Sequence, residues 1–398
     1  MLRVGRALIL VLFFLSGAAG LVYQVSWARS LGVVFGASHL AVTTVLAVYM
    51  GGLALGSALV GRLADRSSRP LRLYGLLELG VGASAAGFLL LMKLYPWLYP
   101  PVARLAEDSP AWLTVVRTAF AVLAMVVPTT LMGGTLPVLA RFVARREDGV
   151  ARQLSLLYAV NTAGAVAGTV ATGFVLIRAL GVTQTLLLAI GVSTAVGLIS
   201  LLAQGRLRGQ EPASDPRALS GGPGPRAEAS ALSLRLTLLG LGVSGFCALG
   251  YEVLWTRMLT LVVGTSVYSF TVMLVAFLAG IGAGSHAFSL LRRWTQEGRA
   301  AVRLFGASQI LIGATALAAT VLMRDLPSLA NRIRALWAGQ DGGEFGGRLA
   351  GSFGAGLAFM FVPAFFMGLA FPLAGAVWAT RRGTVGTSVG RLLTANTV

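Results

Sequence analysis

Long apolar runs, interrupted by short arginine-bearing loops, cover nearly the whole chain. A helix needs ~20 mostly apolar residues to cross a bilayer, and ten runs reach that length. They are predicted over roughly 7–27, 39–63, 73–97, 112–143, 154–177 and 182–202. After a polar interval they continue over 234–255, 267–291, 304–323 and 349–380. Backbone groups in lipid must be satisfied within their own segment, so these runs are helices and not open sheet. The fourth run carries Pro128 and Pro137, which predicts a kink or break. Leu326, Leu329, Ile333, Leu336 and Trp337 recur at helical spacing and predict a short surface helix between the ninth and tenth runs.

The pattern repeats. Ser16-Gly-x5-Tyr23-Gln24-Val-x-Trp27-x-Arg29 recurs as Ser244-Gly-x5-Tyr251-Glu252-Val-x-Trp255-x-Arg257, 228 positions later. Further landmarks follow in the same order. Gly52, Gly56 and Ser57 match Gly280, Gly284 and Ser285, and Glu78 matches Gln309. Pro128, Met132, Gly133 and Pro137 match Pro363, Met367, Gly368 and Pro372, and Asn161-Thr162 match Asn396-Thr397. The expected organisation is a first six-helix repeat over 1–203, a flexible linker over 204–233 that holds Pro212, Pro216, Pro223 and Pro225, and a second repeat over 234–398. Six is even, so both repeats enter the membrane in the same direction, related by an axis along its normal, as in major-facilitator halves. The fold class expected is an all-α polytopic membrane protein, major-facilitator-like, with two parallel six-helix repeats. By this alignment the second repeat stops at the entrance to helix 11, so the chain is expected to be truncated there. Small residues at 16–20 resemble a signal cleavage site, but the same pattern recurs at Ser244, so a retained first helix is expected.

Composition agrees with the pattern. Of 398 residues, 56% are hydrophobic and 12% charged, against about a quarter charged in soluble domains. The net charge of +18 sits mostly in short loops at 62–72, 145–152, 292–303 and 381–391 and in the linker. That placement predicts a cytoplasmic N-terminus and linker in a multi-pass protein of the inner (plasma) membrane, and no nucleic-acid partner. One cysteine, Cys247, and two histidines, His39 and His286, leave no basis for an intrachain disulfide or a metal site. Metal-ligand spacings and catalytic clusters are absent from the sequence, so no catalytic residue is named. Gly339-Gln-Asp-Gly-Gly-Glu-Phe-Gly-Gly347 follows no strand and is read as an outside loop rather than a nucleotide-binding turn.

The polar residues within the apolar runs are the candidate site. At the aligned pairs Gln24/Glu252 and Glu78/Gln309, one repeat has the acid and the other the amide. A carboxyl at membrane depth is costly, so it pairs, stays protonated or serves a pathway. One hypothesis puts Glu78 and Glu252 on a central cavity, binding a cation or proton, with Tyr23 and Tyr251 nearby. The alternative makes them hydrogen-bonded glue between helices. Asn161 and Asn396 open helices 5 and 11 and are read as interhelical hydrogen-bonding groups. Tyr23/Trp27 and Tyr251/Trp255, followed by Arg29 and Arg257, read as an interfacial aromatic belt with a snorkelling arginine. Gly52-x3-Gly56, Gly164-x3-Gly168 and Gly280-x3-Gly284 let backbones approach, within the bundle or across a dimer face.

Two resemblances add to this. Gly61-Arg-Leu-Ala-Asp65-Arg-Ser-Ser-Arg69 resembles the major-facilitator loop signature, whose Asp and Arg clamp helix ends; Ser68 replaces its second glycine, and the second repeat lacks the aspartate. The doubled first-helix motif, the G-x3-G-S helix, the P-x3-M-G-x3-P helix and Asn161-Thr162 together resemble the bacterial fused membrane/spermidine-synthase-like proteins. In that family a major-facilitator-like region precedes a soluble aminopropyltransferase domain. The resemblance implies polyamine biosynthesis, by aminopropyl transfer from decarboxylated S-adenosylmethionine to putrescine. It also implies a C-terminal catalytic domain as partner, with the membrane region anchoring it or handling a polyamine. The residues that would carry that chemistry are not among these 398, and the chain itself calls for no cofactor. A secondary transporter of a small solute or polyamine is the alternative reading.

Overall fold

The computed structural model describes residues 2–36, 39–104, 109–144, 150–207, 231–263, 266–291, 298–337, 343–378 and 385–397. The centre of the expected linker and the loops at 145–149, 292–297 and 379–384 lie outside them. Among the described residues the regular structure is helical throughout. The first repeat comprises α1 (Leu2–Phe35), α2 (His39–Arg66), α3 (Pro70–Arg104), α4 (Pro110–Gly133), α5 (Thr135–Ala144), α6 (Val150–Val170), a π-helical turn (Ala171–Leu176) and α7 (Ile177–Leu207). The second comprises α8 (Ala231–Val263), α9 (Ser266–Leu291), α10 (Gly298–Leu322), α11 (Leu326–Trp337), α12 (Gly343–Trp378) and α13 (Val385–Thr397).

Nine stretches among the described residues are long and apolar enough to cross a membrane. One of them, Gln153–Gln204, has 52 residues. A straight helix of that length would extend ~78 Å, far beyond a hydrocarbon core of ~30 Å. Gly181 resolves the excess: its φ of 78° and ψ of 169° break the helix and turn the chain back, giving two crossings. The chain is a multi-pass membrane protein.

The repeated motifs turn out to be interlocking halves of one joint. Pro137 has no N–H to offer the carbonyl four residues earlier, that of Gly133. The helix breaks there, between α4 and α5, and Ser57 Oγ of α2 donates to the orphaned Gly133 oxygen at 2.9 Å. Pro372 leaves the Gly368 carbonyl in the same position, and Ser285 Oγ of α9 donates to it at 2.8 Å. Here α12 continues through both prolines. The break expected in the fourth run therefore occurs, but at Gly133–Gly134, while Pro128 is accommodated within α4. The glycines bring the backbones close enough for this joint. A Cβ on Gly56 would overlap the Thr130 carbonyl, and one on Gly284 the Phe365 carbonyl. Gly164 and Gly168 pack in the same way on the backbone of α1 at Phe14 and Ala18. All three small-residue motifs serve contacts within the bundle.

The halves meet through equivalent helices. Helix α2 lies against α13, where Thr394 Oγ1 donates to the Ala54 carbonyl at 3.1 Å. Helix α6 lies against α9, where Ser155 Oγ donates to the Ser285 carbonyl at 3.1 Å. Within each half, α1 packs on α6 through Gly17 and Asn161, and α8 packs on α13 through Gly245 and Asn396.

The short surface helix forms as expected, and one loop is shorter than expected. The helix α11 forms over the expected residues but packs on α12, with Leu326 and Ala330 buried and Ile333 against Gly354. It is an amphipathic surface helix seated on the bundle, with Leu336 on its exposed face. The glycine-rich 339–347 stretch is not all loop, because α12 already begins at Gly343.

Candidate functional site

A cavity of about 260 Å³ opens between the two halves. Its wall is built from equivalent positions: Ser16 and Ser244, Gln24 and Glu252, Tyr49 and Phe277, Met132 and Met367, Asn161 and Asn396, Thr162 and Thr397. Both members of each pair reach it, so the cavity lies on the pseudo-two-fold axis that relates the repeats. The helices α1, α2, α6, α8, α9 and α13 hold most of the wall, each anchored by the small-residue contacts described above.

The two-fold symmetry is broken in charge. Glu252 is the one carboxyl on the wall among the described residues, and no arginine, lysine or histidine lines it. Its position in the first repeat is held by an amide, Gln24. Both side chains are buried, and each leaves a polar atom without a hydrogen-bond partner: Oε2 of Glu252 and Nε2 of Gln24. Buried polar atoms are nearly always satisfied, by protein, water or ligand. Tyr158 also lines the cavity, stacks on Phe371 with ring centroids 4.8 Å apart, and interacts electrostatically with Glu252. A wall with one acidic group, several amides and hydroxyls, and aromatic faces suits a small cationic or polar solute.

The other candidate residues sit elsewhere. Glu78 is buried on α3 but does not line the cavity; it accepts a hydrogen bond from Ser16, which does. Tyr74, one turn back on α3, lies near it, but its hydroxyl donates to the Leu12 carbonyl at 3.4 Å. Gln309 is half-buried on α10, with its Nε2 unpartnered, and also lies off the wall. Tyr23 reaches Ser193 on α7 at 3.4 Å. Neither Tyr23 nor Tyr251 lines the cavity. Of the eight residues proposed from sequence, the structure gathers Gln24, Glu252, Asn161 and Asn396.

The belt reading of the tryptophans does not hold. Trp27 is fully buried, stacked on Tyr23 at 5.3 Å and packed on Tyr49 and Phe88. Trp255 repeats this with Tyr251 at 5.2 Å and Phe277. Neither sits at a helix end, because α1 runs on to Phe35 and α8 to Val263. Tyr49, Tyr158 and Ser16 are wall residues that sequence reasoning did not single out. An offset of 228 from Tyr49 to Phe277, carried by the repeat itself, was the available signal for the first.

At the arginine-bearing end, Asp65 ties the halves together. Its Oδ1 accepts from the Gly386 N–H at 2.8 Å, and its Oδ2 accepts from the Thr387 N–H at 2.7 Å and from Thr387 Oγ1 at 2.6 Å. These groups form the first turn of α13, where the helix dipole also favours an anion. Arg141 lies 3.9 Å away as an ion-pair partner. Beneath the clamp α2 and α13 touch backbone to backbone at Gly61 and Gly386.

Comparison with known proteins agrees with this architecture. The bacterial homologue of the iron transporter ferroportin, solved in an outward-facing state with soaked iron, aligns over 98% of this chain and 89% of its own, with a TM-score of 0.55 and 14% sequence identity. The fold is major-facilitator-like. An auto-inhibited POT-family peptide transporter aligns over 97% of this chain with 14% identity and a TM-score of 0.36. No known family profile matches the chain. In sequence it is similar to polyamine aminopropyltransferase 2 of Streptomyces coelicolor, 30% identical over 203 residues. That match takes in 50% of this chain and 34% of the relative, so it spans about a third of the relative's length.

Proposed function

We propose that this chain is a secondary transporter of a small organic cation, of the polyamine class, in the plasma membrane. The observation that carries the reading is the cavity on the pseudo-two-fold axis, with Glu252 as its single carboxyl and no basic side chain on its wall among the described residues. A cargo ammonium would take the open Glu252 Oε2, and the amides and hydroxyls of both repeats would take its remaining N–H groups. The two halves rock about that site, as expected for repeats related by an axis along the membrane normal. The orientation with N-terminus and linker in the cytoplasm follows from the arginine-bearing loops. The name of the sequence relative selects the test compounds, putrescine and spermidine. Saturable uptake of labelled putrescine or spermidine into proteoliposomes, with half-saturation raised ~10–100-fold by Glu252→Gln, is the expected result. Uptake no faster than in empty vesicles removes the reading.

A second reading rests on the sequence match to an aminopropyltransferase. In it, the chain is the membrane region of a spermidine-synthase-like protein, delivering or retaining a polyamine for transfer of an aminopropyl group from decarboxylated S-adenosylmethionine. Its test is binding without passage: saturable retention of labelled putrescine by the purified protein, with no entry into the vesicle lumen, favours it over transport.

A further inference from the structure

We propose that Glu78 is the proton-binding group that couples transport to a pH gradient, reached from the cavity through the Ser16 hydroxyl. The proposal rests on the cavity being a cargo site and adds a second, separate site to it. Ser16 has two neighbours of interest. It lines the cavity, and its Oγ donates to Glu78 Oε1. Glu78 is thus one hydroxyl away from the cavity while being itself 2% exposed and off the wall.

The surroundings of Glu78 suit a proton and not a cargo. Among the described residues no arginine, lysine or histidine pairs with it. The titratable groups that face it are Tyr74 on its own helix and Tyr23 on α1, and neither is a cation. Tyr74 is held in turn by the Leu12 carbonyl at 3.4 Å, and Tyr23 by Ser193. A carboxyl locked to arginine keeps its charge. One whose neighbours are hydroxyls exchanges protons along them, and intramembrane carboxyls in such chains serve as relays. The transfer balances within three groups. A hydronium ion in the cavity gives a proton to Ser16 Oγ while the Ser16 proton passes to Glu78 Oε1. Rotation of the hydroxyl resets the path, and the reverse sequence releases the proton.

The repeats make the division of labour visible. Where the first repeat has Glu78 the second has Gln309, which cannot carry a proton; where the second has Glu252 the first has Gln24. Each half therefore supplies one carboxyl, to a different task. Helix α1 connects the tasks, because Ser16 and Gln24 lie on it eight residues, ~12 Å, apart.

The test uses labelled putrescine and the protein in proteoliposomes. A gradient of one pH unit corresponds to a ~10-fold change in accumulation for one coupled proton. Wild type should accumulate putrescine under one polarity of the gradient and be slowed by the other. Glu78→Gln should lose both responses while keeping putrescine exchange across vesicles without a gradient, and Glu78→Asp should regain the response. A Glu78→Gln protein that still follows the gradient overturns the proposal, as does wild-type uptake indifferent to both polarities. If Glu78→Gln does not fold, Ser16→Ala supplies the test: the ratio of gradient-driven uptake to exchange should fall, and an unchanged ratio overturns the hydroxyl path. Absence of any saturable wild-type uptake instead overturns the cargo reading, and this assignment with it.

Discussion

Asp65 offers the most quantitative perturbation. Its carboxylate accepts three hydrogen bonds from the first turn of α13, at 2.6–2.8 Å, and has Arg141 at 3.9 Å. Hydrogen bonds to a charged group are worth ~1.5–3 kcal/mol each, so the gross sum is ~4.5–9 kcal/mol. When the halves part at this end, water replaces those bonds, and the side chain is already partly exposed. At the net ~0.5–1.5 kcal/mol that a typical intramolecular hydrogen bond contributes, the three together are worth ~2–3 kcal/mol. A loss of ~2.7 kcal/mol takes a state populated at about 99:1 to about even. Asp65→Ala should accordingly release α13 from α2 in a large share of molecules. Asp65→Asn should lie between, because its Nδ2 can replace Oδ2 only by facing the Thr387 N–H. The assay is a pulsed spin-label distance between cysteines at Arg62 and Arg391, both exposed and on the two clamped helices, with Cys247 replaced by serine. Asp65→Ala should convert one short distance into a short and a long population. An unchanged distribution would refute the assignment of Asp65 as the tie between halves.

Other predictions follow from the joints and the cavity. Ser285→Ala should cost ~0.6–1.7 kcal/mol, the range for interhelical hydrogen bonds in membranes. Because Pro372 is what orphans the Gly368 carbonyl, the same change in a Pro372→Ala background should cost less, and a double-mutant cycle in detergent unfolding with no coupling would refute the joint. Trp27→Ala should destabilise by ~3–5 kcal/mol, as for a large aromatic removed from a core, whereas an interfacial tryptophan would lose far less in the same unfolding assay. Glu252→Asp should weaken putrescine binding less than Glu252→Gln, which forfeits a charge-assisted bond of ~1.5–3 kcal/mol, or ~10–100-fold in Kd by calorimetry.

Much of this architecture was legible before any coordinates. Helices in lipid gain nothing from burying one apolar face rather than another, so their contacts depend on glycine, serine and proline. Those residues are rare enough to show as ordered repeats, and Ser57, Gly133 and Pro137 belong to one physical joint seen twice. Helix ends were less legible, since α1 and α8 run several residues past Trp27 and Trp255. Side-chain direction was least legible. Both faces of α3 are apolar, so periodicity does not say whether Glu78 points to a cavity or to a neighbouring helix. The structure turns it towards Ser16. For the same reason, burial of Trp27 and Trp255 was hidden behind an aromatic pattern that membrane surfaces also favour. The docking of Asp65 on α13 spans 321 positions, a separation that no local pattern reports.

The measurement that bears most directly on the account is uptake of labelled putrescine by proteoliposomes holding wild type or Glu252→Gln, as a function of external concentration. The account predicts saturable uptake by wild type and half-saturation at a ~10–100-fold higher concentration in the variant, with both proteins equally folded by circular dichroism. Uptake that is absent from wild type, or identical in Glu252→Gln, would contradict it.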